Sequence, residues 1–140
     1  MIPRPMFNIL VAEDDRGIQT LLSTILTREG FDVECVGDGA EAMRRLNARH
    51  YDVVLLDLMM PNLSGGDVIR LLGDRGDDAL SRVIVITAAA MHEASLVDRL
   101  PVLRKPFDLD ELRGRVHAVA GLRQPTAEGS SLVRQSPPAA

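Results

Sequence analysis

Five short aliphatic runs, separated by segments of helical periodicity, constrain this chain more than any other feature. They occupy residues 7–12, 31–36, 52–56, 82–87 and 101–104. The third contains Val-Val-Leu-Leu and the fourth Val-Ile-Val-Ile, each uninterrupted. Runs so short and so rich in valine and isoleucine predict strands, and their lack of alternation predicts a sheet covered on both faces. The second run alternates only in part.

The intervening segments carry helix signals. Ile18, Leu21, Leu22, Ile25 and Leu26 form one apolar stripe, with Gly30 as its C-terminal stop. Asp38-Gly39-Ala40-Glu41 has capping-box spacing before Met43 and Leu46. The spacing recurs more weakly from Ser64 to Asp67, before Val68, Ile69 and Leu72, and again from Asp108 to Glu111, before Leu112, Val116 and Val119. Alanines over 88–99 predict one more helix, and Gly121 is expected to end the last. Strands alternating with helices imply βα units and a parallel sheet. We therefore expect one domain over 1–121. Residues 122–140, rich in Pro, Ser, Gly, Gln and Ala, are expected to form a flexible tail.

Composition narrows the partners. A hydrophobic content of 46% excludes a disordered chain. A net charge of −4, with no basic stripe and few aromatics, gives no reason to expect direct DNA or RNA contact. Residues 1–7 carry Arg4 but no apolar h-region, and no apolar run is long enough for a membrane span. Cys35 is the only cysteine, so no disulfide forms within the chain. A cytoplasmic protein with Cys35 as a small buried residue is expected. His50, His92 and His117 are scattered and expected to be exposed, none at metal-ligand spacing.

In a parallel α/β sheet, ligands bind outside the carboxyl ends of the strands. The first run ends in Glu13-Asp14-Asp15, the third in Asp57, the fourth in Thr87 and the fifth in Lys105-Pro106. Carboxylates gathered in one crevice repel one another, and a hard divalent cation relieves that repulsion. Lys105 adds a cation and Thr87 a hydroxyl. Metal and lysine can neutralise phosphoryl oxygens, the hydroxyl can orient them, and a carboxylate can attack. Asp15 is better explained as a helix cap.

These residues resemble those of the receiver domains of two-component response regulators. Asn8-Ile9-Leu10-Val11-Ala12-Glu13-Asp14-Asp15 looks like that family's first strand and acidic pair. Val53-Val54-Leu55-Leu56-Asp57-Leu58-Met59-Met60-Pro61 looks like its phosphoacceptor strand and loop, and Ser64-Gly65 follows at the family's spacing. Val85-Ile86-Thr87-Ala88 resembles the switch threonine with its small neighbour, and Lys105-Pro106-Phe107 the lysine motif. The resemblance implies a flavodoxin-like, doubly wound five-stranded sheet of order 2-1-3-4-5. It implies Asp57 as phosphoacceptor and Thr87 and Lys105 as phosphoryl-oxygen ligands. Glu13, Asp14, Asp57 and the Met59 backbone carbonyl would bind magnesium, or manganese in its place. It further implies a sensor histidine kinase or histidine phosphotransfer protein as partner, with pairing into a homodimer left open. No turnover reaction is implied beyond the chain's own phosphorylation and dephosphorylation.

The chain departs from the family in two places. The spacing from Thr87 to Lys105 is short, which implies a shortened helical region between the last two strands. Val102 stands where most receivers carry an aromatic residue. Two other readings compete: a receiver-fold interaction module that is never phosphorylated, and an aspartyl phosphatase of the haloacid dehalogenase class. The intact set Glu13, Asp14, Asp57, Thr87 and Lys105 argues against the first. The phosphatase class needs a second aspartate where Met59 stands, which argues against the second.

Overall fold

Burial on both faces organises the sheet. In the computed structural model, which describes residues 7–88 and 100–123, five strands form one parallel sheet. They are β1 (Asn8–Ala12), β2 (Asp32–Val36), β3 (Val53–Asp57), β4 (Val83–Thr87) and β5 (Val102–Arg104), in spatial order β2-β1-β3-β4-β5. Every residue of β3 and β4 is buried, as their unbroken aliphatic sequences require. β2 lies at an edge and buries only Val36 fully, so its sequence alternates only in part.

The helices are α1 (Arg16–Arg28), α2 (Gly39–Ala48), α3 (Gly65–Gly73), α4 (Asp77–Leu80) and α5 (Leu109–Arg123). One core joins Ile9, Val11, Leu55 and Ile86 of the sheet to Leu22 and Leu26 of α1 and Leu112 and Val116 of α5. The other joins Leu10, Val54, Leu56 and Val85 to Ala42 of α2 and Val68, Ile69 and Leu72 of α3. Alternate residues of one strand thus feed opposite cores, as the two-residue pleat demands.

Caps set the helix ends. Asp15 accepts from Ile18 N–H at 3.0 Å and Asp38 from Glu41 N–H at 2.7 Å. Among the described residues only Ser64 and Asp67 close a complete capping box, although theirs is the weaker sequence signal. Glu41 does not return a bond because Arg44 and Arg45 hold its carboxylate. Gly30 ends α1 at φ 98°, in the left-handed region that glycine enters freely.

One expectation is corrected. Gly121 does not end the last helix, which continues to Arg123. A lone helical glycine costs only about 1 kcal/mol against alanine and stops nothing unless it turns left-handed. The one-turn α4 was not expected, because four residues show no periodicity. It places Leu80 in the second core. The predicted helix over 88–99, with its shortening, lies outside the described residues except for Ala88, as do His92 and residues 124–140.

Candidate functional site

The strand order reverses direction between β1 and β3, and this is where an open α/β sheet leaves a crevice. Register then assembles the site. Ala12 pairs with Leu56, which brings Glu13 and Asp57 together just beyond. Asp57 pairs with Ile86, which puts Thr87 one step further on. Thr87 pairs with Arg104, and the Thr87 carbonyl accepts from Lys105 N–H at 2.9 Å. All four strand ends named from the sequence meet on one edge.

The carboxylates of Glu13, Asp14 and Asp57 place one oxygen each within 4.8 Å of the others. Glu13 is fully buried, Asp57 is 2% exposed, and Asp14 faces solvent. One oxygen of Asp57, Oδ1, accepts from Met59 N–H at 3.0 Å. The other lies 3.3 Å from Lys105 Nζ. Lys105 Nζ also stands 2.9 Å from Glu13 Oε1. That Glu13 oxygen is buried and receives no well-directed hydrogen bond, so charge alone holds it to the lysine. Its second oxygen accepts from Asp15 N–H at 3.0 Å.

Burial raises the Glu13 carboxyl above its ordinary range, and the charge of Asp57 adds to the rise against the opposing pull of Lys105 and the hydrogen bond from Asp15 N–H. Burial works against the Lys105 ammonium too, but Glu13 and Asp57 outweigh it and hold the amine above its usual value. Two buried carboxylates on one lysine make a costly arrangement that an apolar cluster would avoid. Perturbed groups gathered at a crevice mark a functional site. Oxygen donors at this spacing, one of them a buried oxygen without a directed partner, fit a hard divalent cation such as magnesium or manganese.

Asp15 caps α1, as expected from its position. His50 and His117 are exposed and belong to surface pairs, with Asp52 and Glu29 respectively. Cys35 is only half-buried, because β2 is an edge strand, and burial raises its thiol above the ordinary value. The exposed Met59 side chain flanks the site, while its N–H orients Asp57. Sequence reasoning missed Gln19. Its side-chain amide donates to the backbone carbonyls of Glu13 and of Val36, the latter at 3.2 Å, and so ties the ends of β1 and β2 together. One glutamine among helical residues gives no signal of this. Gly65 matters for space: a Cβ there would lie 2.3 Å from the Asp57 carbonyl oxygen.

Comparison with known proteins agrees with this geometry. The family model described as response regulator receiver domain matches residues 9–117. The response regulator MprA of Mycobacterium avium is 36% identical over 131 residues, covering 89% of this chain and 55% of that protein. The chain thus spans about half the length of the curated relatives it matches. Among solved structures, the receiver domain of the sensor histidine kinase PA1611 from Pseudomonas aeruginosa has a TM-score of 0.74 at 29% identity, covering 84% of this chain and 99% of that one. It is described with a magnesium ion coordinated in its active-site cleft. The response regulator TrrA from Thermotoga maritima, in complex with magnesium and beryllofluoride, has a TM-score of 0.72 at 31% identity, covering 81% and 99%. Sheet order, the meeting of strand ends and the family match all lead to one assignment: this chain belongs to the receiver-domain family of two-component response regulators.

Proposed function

We propose that Asp57 is the phosphoacceptor of a histidine-to-aspartate relay. The observation that carries this is a carboxylate 2% exposed at the end of a fully buried strand, with Lys105 Nζ 3.3 Å from one oxygen and Met59 N–H bonded to the other. Such a group is held and oriented. An Asp57 oxygen attacks phosphorus, the phosphorus–nitrogen bond of a phosphohistidine breaks, and the imidazole leaves with that electron pair and takes up a proton. Lys105 and the Thr87 hydroxyl hold the phosphoryl oxygens. Glu13, Asp14, Asp57 and the Met59 carbonyl would hold the metal. Bound magnesium supplies charge neutralisation for the transferring group. Water attack on the aspartyl phosphate resets the site, so the chain assists its own phosphorylation and dephosphorylation and turns over no other substrate.

The donor is a sensor histidine kinase or a histidine phosphotransfer protein, and phosphorylation switches what the domain binds. For the residues of this chain we propose no direct contact with nucleic acid, on the strength of a net charge of −4. None of the described helices is long and apolar enough to cross a membrane. The setting we propose is the cytoplasm, whose reducing conditions suit a lone cysteine. Acetyl phosphate with magnesium should add one phosphoryl group, read by intact-mass spectrometry, and Asp57→Asn should add none. Equal labelling of the two would remove the proposal.

A further inference from the structure

The loop between β3 and α3 carries the groups next to Asp57, and two glycines let other parts of the fold close on it. At its C-terminal end, Gly65 N–H bonds the Leu58 carbonyl at 3.0 Å, and the missing Cβ allows α3 to sit against the Asp57 and Leu58 backbone. The second contact comes from α2. A Cβ on Gly39 would lie 2.0 Å from the Leu63 carbonyl oxygen and 2.6 Å from its carbon. Gly39 has no positive φ, so space and not backbone strain demands glycine there. Beside it, Gly39 N–H points to the Pro61 carbonyl at 3.5 Å. The Asn62 amide donates to Asp38 Oδ2 at 3.1 Å, while the other Asp38 oxygen caps α2. Asn62 is held at φ 69°, a conformation that asparagine tolerates better than most residues.

We infer that Asp38 and Gly39, at the N-terminus of α2, are positioning residues for the phosphoacceptor site: they seat Pro61, Asn62 and Leu63, and through that loop fix the Met59 N–H that orients Asp57. This rests on the reading of Asp57 as a metal-assisted phosphoacceptor. Backbone packed on backbone has no flexible side chain to absorb an added methyl. Gly39→Ala therefore moves the loop or lifts α2, and loop movement is transmitted to the Asp57 carboxylate.

The test uses the full chain and magnesium alone, by titration calorimetry, with thermal midpoints taken without metal. Gly39→Ala should weaken magnesium binding about tenfold, as losing support of a metal ligand does. Asn62→Asp sets two carboxylates against each other and should weaken binding too, although its added charge by itself favours the cation. The exchanged pair Asp38→Asn/Asn62→Asp restores an amide–carboxylate bond and the parent's net charge and keeps an N-cap residue. It should bind magnesium as the parent does. A purely structural contact would lower midpoints and leave magnesium affinity unchanged in Gly39→Ala and Asn62→Asp, and that result would overturn the inference. If Gly39→Ala fails to fold, Asn62→Asp and its rescue decide alone. A parent chain that binds no magnesium would instead overturn the underlying reading of the site, and this inference with it.

Discussion

Tyr51 shows how a single side chain is fitted into this fold away from the site. It is 1% exposed, and its hydroxyl donates to Glu34 Oε1, which also pairs with Arg45 at 2.8 Å. Arg49 pairs with the other Glu34 oxygen and lies over the Tyr51 ring, 5.2 Å from its centre. The Tyr51 bond, followed by the arginine charges, holds the Glu34 carboxyl below its ordinary range despite partial burial. A carboxyl depressed in the folded state stabilises above its unfolded value, and that stability is lost as pH falls through the folded value. Tyr51→Phe should cost about 2 kcal/mol near neutral pH, the worth of a hydrogen bond to a charged group. The cost should shrink in acid below the ordinary glutamate range, as Glu34 takes up a proton. Urea denaturation of both proteins across pH would show it, and a cost independent of pH would remove Glu34 from the account. At the same scale, the meeting of Asp57 and Lys105 was legible because each stands at the carboxyl end of a strand in one parallel sheet. Gln19 was not, because its two carbonyl partners belong to strands that meet only in the folded chain.

At the scale of elements, strand identity was readable and helix ends were less so. β3 and β4 follow from unbroken aliphatic runs. The end of α5 did not follow, because a glycine's effect depends on the φ it adopts and not on its presence. The β3–α3 loop is the element tied most directly to the site, through Met59 N–H and Asp57. Val102, in β5, pairs with Val85 and packs partly against the second core. A β-branched side chain with restricted χ1 has little to exchange between surface and interior. Magnesium with beryllofluoride, standing in for the phosphoryl group, should raise amide-exchange protection over residues 59–66 and change 109–120 little. If the largest change falls instead on β5 and α5, signal leaves the site by that side and the loop is not the responding element.

For the whole molecule, the site concentrates negative charge that a bound cation would relieve. Glu13, Asp14 and Asp57 crowd their charges at the switch point, with Lys105 as the neighbouring cation. A ligand that binds only the folded state stabilises it by mass action, about 2.7 kcal/mol at one hundred times its dissociation constant. The thermal midpoint should therefore climb with magnesium concentration and fall back on addition of chelator. Asp14→Ala should abolish the climb while leaving the metal-free midpoint little changed, because Asp14 is exposed. An identical climb in Asp14→Ala would place the cation elsewhere.

Local sequence pattern carried by neighbours in the chain was enough to determine the strands, the parallel α/β class and the polar residues at each strand end. Unbroken aliphatic runs mark the strands and a period near 3.6 marks the helices, and both are contained in any window of ten or so residues. Which side chains then touch was decided only by the tertiary structure. That Glu13 is buried on Lys105 while Asp14 stays exposed, that Gln19 bridges two strands, and that Gly39 admits Leu63 all depend on register between segments far apart in sequence. Register is set by the burial of both cores at once, and no local stretch of the chain contains that sum.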